Sequence, residues 1–353
     1  MARASRTSAR GRVTGRRVIR RQKPTPVVII AQNQHLNGSD SALIGRIINR
    51  ADSEKVSENA VLFISLLSNL TPSLSDVNKR AGMRVGRRLY MLLSGSRKYT
   101  IYEETVQDLV KFFEHAGYSS ITYNVFPDRV DLRMHDRSHE YLGMDTHAFE
   151  AGIISGFLTA AKRQYVGVTE HACSNNGSDH CRFSSMQGQP RVQARVDTKA
   201  SIHRFIEHVA RQSERVEKVS EVRISPEYYM LAASTVLERP YQEELRHVAS
   251  YIGSGIASRI FEGTKTQLSK SSISRLERVV ALLGLGRASV KSLKPIKIDI
   301  SFDRLHSRSE FVELSLALIN GLLKNYEIGD ARISREARRG AYNVRIIGRS
   351  VTK

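Results

Sequence analysis

The sequence predicts an α+β chain built from two cores, and three observations carry that prediction. At 353 residues the chain exceeds one comfortable single-core domain and fits two of ordinary size plus an appendage. Segments with helical apolar spacing are followed by stretches that alternate with period two, in the order helices, hairpin, helix, hairpin. The second half then runs through the same order again. Hydrophobic residues make up 41% of the chain and charged residues 25%, ordinary globular composition with apolar material for a core in each half.

Residues 1–26 read as a disordered basic arm, rich in Arg, Ser and Gly and closed by Pro24 and Pro26, which oppose helix. Residues 27–51 read as a linker in which Val27 to Ala31 could form a short strand and the Asn/Gln/Gly-rich stretch after it a loop. Continuous order is expected from Asp52. Ala60, Phe63, Ile64 and Leu67 follow helical spacing, and a second helix is expected from Ser75 to Leu93, entered through Thr71 and Pro72. Gly82 and Gly86 lie four apart on one face of it. A helix interior disfavours glycine by about 1 kcal/mol, so the pair points to close approach of another backbone, unless it is local looseness.

A third helix, Tyr102 to His115, stops at Gly117, a natural helix-ending glycine. Ser120 to Phe126 and Arg129 to His135 alternate as strands across a turn at Pro127 and Asp128. A helix from Met144 to Lys162 follows, with Gly152 and Gly156 side by side. It leads into a strand from Tyr165 to Glu170, a polar loop from Ser174 to Asp179 and a returning strand from His180 to Ser185.

The second half lies on the first at an offset of about 167 residues: Leu276 to Gly284 matches Leu109 to Gly117, and Lys297 to Asp303 matches Arg129 to His135. A helix containing Gly253 and Gly255 precedes that stretch, and an apolar helix from Phe311 to Leu323 follows it. The expected division is a first domain over 52–187, a linker with a helix over 188–220, and a degenerate repeat of the first domain over 221–353. Any helix–hairpin–helix pair would align in part, and that coincidence is the alternative.

The net charge is +20, and nine of the excess cations fall in the arm: Arg3, Arg6, Arg10, Arg12, Arg16, Arg17, Arg20, Arg21 and Lys23, with no acid among them. Such an arm could neutralise phosphates of nucleic acid without reading sequence, or serve as a solubilising tail, an anionic-membrane contact or a transit peptide. Two cysteines cannot staple a secreted fold, and no secretory leader opens the chain, so a reducing, cytoplasmic setting is expected. The longest nearly apolar window, Ala148 to Ala161, is too short to span a membrane. Phosphate-loop, nucleophile-elbow, His-Glu-x-x-His and complete dinucleotide fingerprints are missing, so catalysis is not expected.

Glu170, Cys173 and Cys181 carry the sharpest chemistry. The first two are three apart at a strand end, and the third returns across a tight loop at Asn176 and Gly177. Thiolates, a carboxylate and an imidazole from elsewhere would make a tetrahedral site suited to zinc. The alternatives are buried cysteines, a hairpin disulfide, or His171 or His180 acting as ligands.

Roughly residues 50–187 resemble the 4-vinyl-reductase domain, the family that also supplies the sensor modules of phenol- and xylene-responsive activators. The resemblance rests on Gly82 and Gly86, on Gly117, on Ala151, Gly152 and Gly156, and on Glu170, Cys173, Gly177, Cys181 and Phe183. It implies a structural Zn2+ held by Glu170, Cys173, Cys181 and the residue 23 before the glutamate, which is His147 here where those sensors carry cysteine. It implies a TRAPP-like fold of helices on an antiparallel sheet, often dimeric, with the second copy offering an intrachain pseudo-dimer. It also implies a pocket for a small hydrophobic ligand, for which Phe112, Phe113, Tyr123, Phe126, Phe149 and Phe157 are candidates, although such residues are more often plain core. The reading that follows is a non-catalytic sensor or regulatory protein with a nucleic-acid-contacting arm; the rivals are an accessory of tetrapyrrole vinyl reduction and a structural adaptor without ligand. The second half has no cysteine and cannot hold zinc in this way.

Overall fold

The computed structural model describes residues 38–49, 54–96, 102–135, 142–187, 197–215, 220–234, 241–261, 270–285, 287–293, 296–302, 309–324, 332–338 and 341–348. Leu36–Lys353 forms one compact α+β unit with antiparallel sheets. Its first half runs α1 (Gly38–Asn49), β1 (Glu54–Ser57), α2 (Glu58–Ser68), α3 (Pro72–Ser96), α4 (Tyr102–Ala116), β2 (Ser119–Val125), β3 (Val130–His135), α5 (Ala148–Lys162), β4 (Val166–Ala172) and β5 (Cys181–Gln187). Its second half runs α6 (Thr198–Glu214), β6 (Glu221–Ile224), α7 (Pro226–Ser234), α8 (Gln242–Ile260), α9 (Lys270–Leu282), β7 (Arg287–Leu293), β8 (Ile296–Phe302), α10 (Ser309–Leu323), β9 (Arg332–Arg338) and β10 (Ala341–Gly348).

Two four-stranded sheets have strand orders β2-β3-β5-β4 and β7-β8-β10-β9. In each, the last strand inserts between its own hairpin partner and the second strand of the first hairpin. β1 and β6 form a separate antiparallel pair, with Glu54 opposite Ile224, Val56 opposite Val222 and Ser57 opposite Glu221. α1 packs on α7 and α6 on α2, so helices of each half cover the other. Phe63 of α2 stacks on Phe205 of α6 with ring centroids 5.9 Å apart, and Asn59 joins the same seam through His208 Nε2 at 3.0 Å and Gln212 Oε1 at 2.7 Å.

The closest helix contact is between α3 and α5. A Cβ built on Gly82 would overlap the Phe149 carbonyl, one on Gly86 the Ile153 carbonyl, one on Gly152 the Lys79 carbonyl and one on Gly156 the Met83 carbonyl. Backbone therefore lies on backbone, as the spacing of the glycines predicts. α8 and α10 meet in the same manner through Gly253 against Leu318 and Gly321 against Ser250. Gly255 faces elsewhere, toward Ile206 of α6.

Two differences from the sequence reading stand out. The linker expected over 27–51 gives way to α1, which buries Leu43, Ile44 and Ile47. The Asn37-Gly38 pair reads as a loop, yet here the helix starts at Gly38, and apolar spacing prevails after it. The helix expected from Met144 begins instead at Ala148, because Gly143 adopts φ +69° and the chain from Leu142 to His147 forms a non-helical loop. The basic arm and the strand expected at Val27 to Ala31 lie outside the described residues. Among the described residues no single helix is long and apolar enough to cross a membrane.

Two glycine replacements separate close approach from simple tolerance. Gly86→Ala should lower stability by at least about 2 kcal/mol through overpacking. Gly45→Ala, where nothing lies within 4 Å of the added methyl, should raise it by about 0.5–1 kcal/mol. Denaturant midpoints of the two variants should therefore move in opposite directions.

Candidate metal centre

In a regular strand, residues 170 and 173 would face opposite sides of the sheet, since the side-chain period is two. The β4–β5 register slips between Glu170 and Ala172, and this extra residue returns Cys173 to the inner face already occupied by Glu170. A 3-10 turn at Ser174–Asn176 then reverses the chain, with Gly177 at φ +90°. Asn176 N and Ser178 N both donate to Cys173 O, at 3.0 and 3.1 Å. Cys181, the first residue of β5, pairs with Met134 of β3 and points inward beside Cys173.

His147 sits at the N-cap of α5, where the glycine crossing and the preceding loop place it over the hairpin. That loop is tied to the turn by Leu142 N and Gly143 N donating to Asn175 O at 2.8 and 2.9 Å. Asn175 Nδ2 also donates to Thr146 Oγ1 at 2.8 Å, and Asn69 Nδ2 to Thr146 O at 2.8 Å.

The result is a cluster in which ligand atoms of His147, Glu170, Cys173 and Cys181 all lie within 4.8 Å of one another, so that it could hold a metal ion. His147 Nδ1 is 2.9 Å from Glu170 Oε1, 3.4 Å from Cys173 Sγ and 3.6 Å from Cys181 Sγ, so Nδ1 is the ring nitrogen that faces the other three groups. A tetrahedral ion bonded at about 2.0 Å to N or O and about 2.3 Å to S holds its ligand atoms about 3.3–3.8 Å apart. The His147 separations fall near that range, so the set could accept such an ion. Ser174 reinforces the donor chemistry: its N–H approaches Cys181 Sγ at 3.4 Å and its hydroxyl at 3.3 Å.

The environment is dry. Cys173 and Cys181 are 1% exposed, and the side chains of His147 and Glu170 6%. Burial raises the Glu170 carboxyl to about 7, with His147 opposing the shift through its charge and hydrogen bond. The Cys173 thiol is pushed up by its hydrogen bond with Cys181 and by burial, again against His147. Two sulfurs and a carboxylate charged together in such a place need a cation between them.

Geometry decides between two of the alternatives open in the sequence, the hairpin disulfide and the flanking histidines. The two cysteines are free thiols. His171 is exposed on the other face of the sheet, beside a polar cleft lined with Arg129, Asp131 and Arg182, and His180 faces His135 at 6.4 Å between ring centroids. Neither joins the cluster. The supporting residues Asn69, Thr146, Ser174 and Asn175 were not evident in the sequence, where the only trace is a polar loop between the two cysteines.

The six aromatic candidates do not share one place. Phe112, Phe113, Phe149 and Phe157 are at most 2% exposed, and the first three pack edge to face with Tyr118 or Tyr228 at centroid distances of 5.6–6.1 Å. Tyr118 and Tyr228 donate to the buried Glu150 carboxylate at 2.6 and 2.8 Å. Phe126 is 37% exposed under the Arg129 guanidinium, and Tyr123 is half-buried on the edge strand β2.

No protein-family profile, curated protein or solved structure matches the chain.

The raised Glu170 carboxyl contributes a pH dependence to the stability of metal-free protein. Between about 4.5 and about 7 the folded state keeps a proton that the unfolded chain releases, so stability falls as pH rises through that window and levels off above it. The loss should be at most about 3 kcal/mol, read as urea midpoints in chelator across the pH range, and Glu170→Gln should flatten it.

Proposed function

We propose that the chain is a non-catalytic regulatory protein of the 4-vinyl-reductase type, with a zinc-pinned first domain, a degenerate second copy, and a basic arm that contacts nucleic acid. The observation that carries the reading is the four-ligand cluster, since His147, Glu170, Cys173 and Cys181 are the residues that the family resemblance names. Soft sulfur with imidazole and carboxylate favours zinc over magnesium or calcium. With four protein ligands no coordination position is left for water, which makes the site structural: His147 joins α5 to the β4–β5 hairpin.

The identical strand orders of the two sheets support the second-copy reading. So does the β1–β6 register. At an offset of 167 residues Glu54 corresponds to Glu221 and Ser57 to Ile224, and the pairs Glu54–Ile224 and Ser57–Glu221 exchange under that correspondence. This is the signature of a two-fold axis through an isologous contact, and it favours an intrachain pseudo-dimer. Free thiols suit a reducing, cytoplasmic setting.

A second reading, a structural adaptor without ligand, is favoured by the packing of Phe112, Phe113 and Phe149 against Tyr118 and Tyr228, which leaves a small hydrophobic ligand to open its own space. Ligand binding would raise the melting temperature, and a screen of small aromatic compounds with no rise would favour the adaptor.

Elemental mass spectrometry tests the centre. Protein purified without a metal-binding tag should carry one zinc per chain, and the Cys173→Ser, Cys181→Ser double variant none. A zinc-free parent under reducing conditions would refute the zinc-pinned reading.

A further inference from the structure

α3 presents α5 with a glycine face and turns a cationic one away from it. At 3.6 residues per turn, Arg80, Arg84, Arg87 and Met91 fall within about 60° of arc on the side of the helix opposite Gly82 and Gly86. Arg80 and Arg87 are exposed, and Met91 is 52% exposed. Lys79 turns the other way and donates to Val168 O on β4 at 2.8 Å. Tyr165, which leads into β4, is 37% exposed.

The corresponding helix of the second half, α8, carries no such stripe. Over its length α3 carries Lys79, Arg80, Arg84, Arg87 and Arg88 against one acid, Asp76, whereas α8 balances Arg246 and Arg259 with Glu243 and Glu244. At the same offset of 167, the positions of Arg80, Arg84 and Arg87 are held by His247, Tyr251 and Ser254. The helix crossing is alike in both halves, so packing does not require the arginines.

We infer that this face of α3 is a second nucleic-acid contact, a phosphate-backbone surface that works alongside the basic arm. Arg80 and Arg87 stand two turns apart, about 10 Å along the axis, a span that covers about three charges of one strand at about 3.4 Å each rather than one small anion. With no base-reading element on the face, binding tolerates any sequence. The inference rests on the nucleic-acid part of the proposed function.

The test uses the full chain and a short mixed-sequence DNA duplex, with affinity followed against salt. Each lost phosphate contact lowers the slope of log affinity on log salt by about 0.9, so Arg80→Gln, Arg87→Gln should reduce it by about 2. The loss of affinity over a fourfold rise in salt should then be about tenfold smaller than in the parent. Arg246→Gln, Arg259→Gln removes the same charge and should leave the slope unchanged, and both variants should melt like the parent. A variant with Arg16, Arg17, Arg20 and Arg21 all changed to Gln isolates the arm. If the α3 slope stays at the parental value while the arm variant's falls, the α3 inference is overturned and the arm contact stands. Absence of salt-sensitive binding by the parent overturns both, and parental binding to phosphatidylserine vesicles but not to duplex replaces nucleic acid with a membrane.

Discussion

The bare contact between α3 and α5 is the constraint from which the first half takes its shape. With glycine at four contact positions, carbonyls of each helix lie where the other's side chains would have been, close enough for Cα–H···O contacts. Such a joint allows little sliding, because a shift along the axis brings Ala81, Val85 or Ile153 against backbone. It therefore determines where the N-terminus of α5 arrives. His147 is the residue at that end, and its meeting with the β4–β5 hairpin follows from helix packing before any ligand chemistry enters.

At that meeting point the protein has gathered groups that do not favour one another when charged. The carboxyl of Glu170 and the thiol of Cys173 both resist ionisation in the dry interior, and only His147 opposes this. A cation bound there would reverse the balance and couple folding of the hairpin to metal availability and to pH. Ser174 and the Asn175–Thr146 pair hold the loops in the required form whether or not an ion is present, since their hydrogen bonds run to backbone and to each other as well as to sulfur.

The parts of this arrangement legible in the sequence were those that depend on local period or on spacing. The helices around Gly82, Val106 and Gly152, the hairpin from Ser120 to His135, and the Glu170, Cys173 and Cys181 set could all be read from the residues. His147 could not: nothing near it in sequence marks it, and it entered through a family resemblance. α1 was hidden by an Asn-Gly signal at its very start. β1 and β6 are four residues each and owe their existence to a partner in the other half, which no local pattern encodes. The aromatic residues were ambiguous for a physical reason, since the same spacing fills a core or surrounds a pocket.

The β1–β6 pair has a consequence for synthesis. Glu54 of the ladder finds its partner only at Ile224, so the pairing closes a loop of some 170 residues. During translation at about 5–20 residues per second, β1 would wait on the order of 10–30 s for that partner to be made. Through this interval the edge of β1 and the surface of α2 that later meets α6 stay exposed. The first half thus emerges with an open flank, and its completion is timed by the ribosome's progress through the second.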